Sequence, residues 1–455
     1  MNNSAETNHT GYISLKGDRH FAYELVDGRI TIHAYDSIPE IENQNLILAE
    51  GHDNKKYLIY SQVPIGMSSN SIYPQNYSQA VDWVIKQYQP ESVFNAVQFS
   101  FAELQYFCPS TSVVKAVDEE VVFDRTPKVI KEFDVSVGGV CCHISFEVSC
   151  CGNYGLARSQ MEAVSKIIVS FPETDDLGFI EAIYCIVDAV FAFLCNRRNT
   201  KCLSMELCGN YKTKTLDHKK IVDVVRPYHC YMYFLNKYRE DPENEKTIAK
   251  SFYSAMMLPY IDELFRLISE DICSTKGETA NISISSIHPS LKRRNLIDLQ
   301  QSLHITAAFE FYVRRYLPEM VEEKDRHVIL KMLLMEFANK NTGDTKKLAK
   351  SLAENVIREP SLENKITKVY KGYKDWDGVR DCVEDEWFSD DVSILAKSAN
   401  DWRNELAHEK RSYEPNIEAI RAIRLVEHLN YIIVLRKLGC KDSEIKEFLT
   451  NVLAH

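Results

Sequence analysis

The sequence is poor in the residues that break regular structure. It has 16 glycines and 14 prolines in 455 residues, too few for a fibrous or largely disordered chain. It also lacks a basic excess: 54 Lys and Arg stand against 65 Asp and Glu, a net charge of -11. A strongly basic nucleic-acid binder is excluded as a description of the whole chain. No secretory leader is expected, because Met1 to Thr10 reads MNNSAETNHT and has no apolar core. The longest apolar stretch, Phe179 to Cys195, is interrupted by Glu181 and Asp188 and falls short of the ~20 residues of a membrane span. No pair of the thirteen cysteines is spaced CxxC. Without a leader, they read as reduced thiols in a cytosol. Enzyme fingerprints are absent too: no GxxxxGK[ST] loop, strand-linked GxGxxG, GxSxG elbow or HExxH. These absences weigh against nucleotide-driven motors, dinucleotide oxidoreductases, α/β-hydrolases and zincins.

What is present changes character along the chain. Residues 281–455 carry 28 basic and 28 acidic residues, so the first 280, with 26 and 37, hold the whole net charge of -11. The C-terminal part therefore approaches a polyanion more easily. The 45% hydrophobic residues suffice for two or three domains with cores of their own.

The N-terminal part reads as strands. Phe21 to Leu25 and Ile30 to Ala34 flank Asp27-Gly28, and Val135 to Val137 and Val140 to Val148 flank Gly138-Gly139; both pairs suit tight turns. Asn45 to Glu50 and Tyr57 to Val63 form another hairpin. Val97, Phe99 and Phe101 alternate with small or polar residues, and Val164 to Phe171 and Cys202 to Leu207 are further strands. An antiparallel sandwich or barrel is expected, with a helix over about Leu177 to Cys195 covering one side. From about residue 215 a helical period is expected, with helices at Tyr228 to Arg239 and Tyr260 to Glu270, each just after a proline. Gly277 to Ser290 is a Ser/Ile-rich connector. Helices then follow at Leu291–Leu317, Asp325–Lys340, Asp344–Ile357, Leu362–Tyr373, Asp391–Lys410, Pro415–Lys437 and Lys441–Leu453. Short loops between them imply an up-and-down bundle.

Few candidates for chemistry stand out. Cys141, Cys142, Cys150, Cys151, Cys202 and Cys208 with His143 lack zinc-knuckle spacing and read as small buried hydrophobes. The run Asp381, Glu384, Asp385, Glu386, Asp390 and Asp391 has no glycine-pinned calcium-loop spacing and reads as a solvated loop. No metal and no cofactor is expected. Basic clusters at Arg197-Arg198 and at Lys212, Lys214, Lys219 and Lys220 read as solvated loop charge. The tyrosines Tyr228, Tyr231, Tyr233 and Tyr238 around His229 read as core or, if exposed, as base-stacking rings.

One cluster is different: Asp401-Trp402-Arg403-Asn404-Glu405-Leu406-Ala407-His408, followed by Glu409-Lys410-Arg411. A guanidinium can clamp non-bridging phosphate oxygens and offset charge developing there. An imidazole can take a 2′-hydroxyl proton or give one to a leaving oxygen, and an amide can orient either. The spacing is weak by itself. With 13 His and 21 Arg, chance supplies about two Arg-x(4–6)-His matches in such a chain. Two occur: Arg403/His408 and Arg421/His428. The second lacks the asparagine and lies on an apolar-striped helix, so it reads as packing. The bland reading of the first is a helix end whose His408, Lys410 and Arg411 complement the dipole.

The helical C-terminal region with Arg403-Asn404-x-x-x-His408, followed by a long apolar helix, resembles the HEPN superfamily. The whole layout, β-rich before helical, is similar to ApeA-type anti-phage proteins. The resemblance implies a metal-independent endoribonuclease with Arg403, Asn404 and His408 as catalytic residues. Its products would be a 2′,3′-cyclic phosphate and a 5′-hydroxyl, and two motifs would face one cleft in a dimer. It also implies a polar residue from the first helix near the site, for which Glu310 is the match. Lys410 and Arg411 are the further candidates for substrate contact.

The expected fold class is therefore α+β: a β-rich antiparallel N-terminal domain followed by an all-α C-terminal HEPN-like helical bundle. The expected division is a sensor or regulatory domain over 1–214, a helical connector over 215–280 and the ribonuclease domain over 281–455. The expected partners are an RNA substrate, tRNA included, a second copy of the chain through the C-terminal domain, and a phage-derived trigger. The expected place is the cytoplasm, with no membrane contact. The rival reading is a HEPN-like dimer that binds RNA or a nucleotide without cutting.

Overall fold

The structure is a computed structural model of the chain. It describes residues 8–15, 19–34, 44–62, 75–108, 110–117, 120–124, 126–154, 159–195, 202–217, 220–235, 254–274, 299–320, 325–356, 360–373, 391–407 and 417–453. The chain divides into two compact units, 1–191 with 199–276 and 192–198 with 277–455.

The first unit is built on strands β1 (His9–Leu15), β2 (Arg19–Val26), β3 (Arg29–Ala34), β4 (Leu46–Gly51), β5 (Lys56–Tyr60), β6 (Gln75–Ala80), β7 (Trp83–Lys86) and β8 (Ser92–Phe101). They are followed by β9 (Val114–Val117), β10 (Glu120–Phe123), β11 (Lys128–Val137), β12 (Val140–Tyr154), β13 (Ser159–Thr174), β14 (Cys202–Asp217) and β15 (Lys220–Phe234). β9 and β10 pair alone. The others form one antiparallel sheet in the order β11-β12-β13-β8-β14-β15-β7-β5-β4-β1-β2-β3-β6. The expected turns are in place. Asp27 and Gly28 have φ of 49° and 74°, and Gly138 and Gly139 have 58° and 89°. Two successive positive φ values are what a two-residue type I′ hairpin demands.

The sheet has two halves. β6 and β7 stand at opposite ends of the run β7-β5-β4-β1-β2-β3-β6, yet only Val81 and Asp82 separate them in sequence. A flat run of seven strands would be about 29 Å wide, far beyond the reach of so short a link. The run must roll up. Its strands accordingly share one core, with Ile13, Leu25, Ile32, Ile47, Ile59, Tyr77 and Val84 each contributed by a different strand. This half is the barrel-like alternative of the expectation.

The other half is covered by helices. α1 (Ala102–Phe107), α2 (Leu177–Cys195) and α3 (Ile261–Ser274) supply the rings. Phe191 of α2 lies edge-on to Phe101 at 4.7 Å, and Tyr184 stacks on Phe234 at 3.7 Å. Phe265 of α3 packs on Phe133 and Phe146. α2, 19 residues long, does have the length and apolarity of a membrane span, contrary to the expectation that it is too short; 67% of it is buried inside the protein.

One element differs in kind. The helix expected over Tyr228 to Arg239 is strand β15, so residues 220–234 of the expected helical connector belong to the sheet. Tyr228, Cys230, Met232 and Phe234 are buried while the residues between them are more exposed. That is a period of two, which the dense tyrosines hide in the sequence. Pro227 is tolerated because β15 meets β7 only over Tyr231–Phe234, leaving the flank at Pro227 without a second strand. Lys212 and Lys214 likewise lie on β14, not in a loop.

The second unit contains α4 (Leu299–Tyr316), α5 (Asp325–Lys340), α6 (Gly343–Val356), α7 (Leu362–Tyr373), α8 (Val392–Ala407), α9 (Ile417–Lys437) and α10 (Asp442–Leu453). α9 is the central helix: Ala422 to Leu435 are all buried. Its end is a Schellman turn. Gly439, at φ 84°, donates its N–H to Arg436, and Cys440 donates to Leu435. α10 begins where the Glu444 carboxylate accepts the Lys441 N–H at 2.7 Å, half of a capping box. α8 begins at Asp391, whose carboxylate accepts the Ser393 N–H at 3.0 Å and is held below the usual carboxylate range by that bond. The last residue of the acidic run is thus a helix cap; the others in that run lie outside the described residues, as does the 277–290 connector.

Candidate active site

α8 is positioned by its apolar stripe. Leu395, Ala396 and Ala399 are buried, and Arg403 follows Ala399 by one helical turn, so it emerges on the face that packs inward. The guanidinium meets two partners there. Nη2 donates to Glu310 Oε2 at 3.4 Å, and Nη1 donates to Asn404 Oδ1 at 3.2 Å. Glu310 comes from α4, 93 residues earlier, where Ala308, Phe309, Tyr312 and Val313 are buried around it.

Glu310 has a second cation. Lys365 Nζ of α7 donates to Glu310 Oε1 at 3.0 Å. The Lys365 side chain is 0% exposed, Glu310 18% and Arg403 40%. The carboxylate therefore joins a fully buried ammonium to a guanidinium that reaches solvent, and three helices converge on it. An ammonium with no exposure persists only when paired, so Glu310 and Lys365 hold each other, and Glu310 holds Arg403. Next to Arg403, the Trp402 indole N–H is buried and has no hydrogen-bond partner among the described residues.

Of the residues singled out in the sequence, the structure brings together Arg403, Asn404 and Glu310. His408, Lys410 and Arg411 lie outside the described residues, which stop at Ala407 in this stretch. The other Arg/His match is different in nature. His428 is buried in α9, and its Nδ1 donates to the Arg424 carbonyl at 2.8 Å. Burial pushes its pKa down. It is a packed, neutral histidine. Arg424 is ion-paired with Glu427, both buried.

Sequence reasoning missed Lys365. A signal was there. Leu362, Ile366, Val369 and Tyr373 form the buried stripe of α7, and Lys365 falls within it. A lysine on an apolar stripe calls for a buried carboxylate, and Glu310 is that carboxylate.

The family model described as Apea-like HEPN matches residues 303–444. Over residues 303–444 the chain is similar to the Apea-like HEPN family. The HEPN span starts within α4 and ends within α10, and so contains Glu310, Lys365, Arg403 and Asn404, together with His408 in sequence. No curated protein and no solved structure matches the chain.

Proposed function

We propose that the chain is an anti-phage abortive-infection protein whose region 281–455 is a metal-independent HEPN endoribonuclease. Its N-terminal region, 1–214, is the sensor that holds the nuclease inactive until a phage-derived signal releases it. The observation that carries the reading is the Arg403 guanidinium, set by Glu310 at the junction of α4 and α8 and still 40% exposed, with His408 five residues on.

The chemistry follows from residue types. Arg403 offsets the charge that grows on the non-bridging oxygens as the 2′-oxygen attacks phosphorus. An imidazole removes the 2′-hydroxyl proton, and an imidazolium returns one to the departing 5′-oxygen. The P–O5′ bond breaks as the P–O2′ bond forms, leaving a 2′,3′-cyclic phosphate and a 5′-hydroxyl. One His408 from each of two chains supplies base and acid in a homodimer. Asn404 orients the guanidinium. Glu310, already occupied by two cations, positions Arg403 rather than touching phosphate. Lys410 and Arg411 hold flanking phosphates. The substrate is host RNA, tRNA included, and the protein works in the cytoplasm.

The dimer would use apolar surface of the C-terminal region. α9 supplies little of it, because its apolar residues from Ala422 to Leu435 are already covered and only Ile417 at its start is exposed. The exposed large apolar residues of this unit lie mainly on α5 and α6: Ile329, Met332, Leu333, Phe337, Leu348 and Leu352.

The test is RNA cleavage by the purified chain in EDTA, with analysis of the product ends. Cyclic phosphate and 5′-hydroxyl ends are expected. His408→Ala should lose roughly 100- to 10,000-fold in rate, and Arg403→Ala on the order of 100- to 1,000-fold. Cleavage that needs added magnesium would overturn the mechanism. A second reading, a HEPN dimer that binds RNA without cutting, draws support from the engagement of Arg403 by Glu310 and Asn404. It predicts tight RNA binding and no products.

A further inference from the structure

A second group of reactive side chains lies in the first unit, remote in sequence from the HEPN domain. On β14 and β15, Glu206, Cys208 and His229 each offer one donor atom, and the three atoms lie within 4.8 Å of one another. Cys208 and His229 are directly opposed in the β14–β15 ladder, and Glu206 is two residues from Cys208. The period of two puts all three on one face of the sheet. The His229 ring, 55% exposed, sits with Nδ1 3.0 Å from Glu206 Oε1.

The sulfur is prepared as an acceptor. Lys166 Nζ lies 3.4 Å from Gln98 Oε1, and an ammonium can only donate. That turns the Gln98 amide so that its NH2 faces Cys208 Sγ, at 3.3 Å. A donor aimed at sulfur is the usual support of a metal-bound thiolate. Burial, and then Glu206, push the free Cys208 thiol up, against the opposing pull of Gln98 and Lys166. A bound cation reverses the effect of burial.

We infer that Glu206, Cys208 and His229 form a binding site for a divalent transition metal of the zinc class. Thiolate, imidazole and carboxylate together suit a borderline-soft ion rather than magnesium or calcium. Tetrahedral zinc with bonds of about 2.0–2.3 Å needs donors about 3.3–3.8 Å apart. Donors held within 4.8 Å reach that by side-chain rotation, without moving the strands. Three protein ligands leave the fourth position to solvent on the exposed side of His229. The site sits two residues before Tyr231–Phe234, the short seam where β15 joins the rolled half of the sheet through β7. A metal there braces β14 to β15 next to that joint. These ligands carry no CxxC spacing because they come from two opposed strands and meet only through the ladder.

The test uses the full-length chain stripped with a chelator and titrated with Co2+, a spectroscopic stand-in for zinc. One Co2+ per chain should bind, with intense tetrahedral d–d bands and a sulfur-to-cobalt charge-transfer band. Cys208→Ser should abolish the charge-transfer band. His229→Ala changes an exposed side chain and keeps the fold, as circular dichroism would verify; it should weaken binding by more than tenfold. Gln98→Leu should weaken it about 10- to 100-fold through the lost support of the sulfur. Zinc should raise the thermal midpoint of the wild type and leave that of His229→Ala unchanged. A wild type without a charge-transfer band, a band that survives Cys208→Ser, or a zinc shift that survives His229→Ala would each overturn the assignment. RNA cleavage does not enter these readouts, so the fate of the site and that of the HEPN nuclease are decided separately.

Discussion

α9 and α5 are both apolar helices of the second unit, and the protein treats them in opposite ways. α9 is buried on all sides over Ala422 to Leu435, although Arg424, Glu427, His428 and Asn430 interrupt it. α5 leaves Val328, Ile329, Leu330, Met332, Leu333, Met335 and Phe337 exposed, with Met332 at 67%. Apolar content does not decide which helix is central. α9 can be central because most of its buried polar groups find partners: Arg424 pairs with Glu427, His428 donates to the Arg424 carbonyl, and Asn430 donates to the Ile305 carbonyl at 3.1 Å, although the buried Asn430 Oδ1 has no partner among the described residues. Each partner is close along the helix or on α4, so burial leaves these donors paired. α5 packs chiefly against α6, and two helices alone cannot enclose so much apolar surface.

The largest effect is expected from removing one partner inside α9. Glu427→Ala leaves the Arg424 charge buried beside a cavity and should cost about 3–5 kcal/mol. Chemical denaturation measures this, and a loss below 1 kcal/mol would mean that the pair is not enclosed. The buried lysine near the candidate active site gives a smaller effect. Lys365→Ala removes a charge-assisted bond but leaves Glu310 with Arg403, and should cost about 1.5–3 kcal/mol. Cleavage should fall too, since Glu310 then swings freely toward Arg403. Unchanged kinetics in a folded variant would detach Lys365 from the site.

The third effect depends on pH. Burial lowers the pKa of His428 from its ordinary 6.5. Below pH 6.5 the unfolded chain takes up a proton that the folded chain refuses, so stability falls as the pH falls. The loss starts near 6.5, continues to the folded pKa, and has a limiting slope of about 1.4 kcal/mol per pH unit. His428→Gln should flatten this part of a stability-versus-pH curve. The smallest effect on stability is expected on α5. Leu333→Glu should change it by about 0.5 kcal/mol or less, as for exposed positions. It should nonetheless convert a dimer to a monomer in light scattering; a dimer that survives would move the interface off α5.

Much of this protein is legible from local rules. Asp27-Gly28 and Gly138-Gly139 mark their turns because few other pairs accept two positive φ values. Asp325–Lys340 and Leu362–Tyr373 are helices over the residues their sequence period indicates. Arg403 and Asn404 stand out because their chemistry is adjacent in the chain. Tyr228 to Phe234 fails for a physical reason: four aromatic or apolar residues at alternate positions, behind a proline, look like a helix start until a neighbouring strand is there to pair with them.

The chain's own order of residues thus determined the turns, most helix limits and the presence of an Arg-Asn-x-x-x-His motif, since each depends on backbone preferences or on neighbours within a turn or two. Tertiary structure alone decided that Glu310 reaches Arg403 across 93 residues, that Lys365 closes the trio, that Glu206, Cys208 and His229 share a face, and that α9 rather than α5 is enclosed. Those outcomes depend on which surfaces meet, and burial energy is set by the partner surface as much as by the residue that is buried.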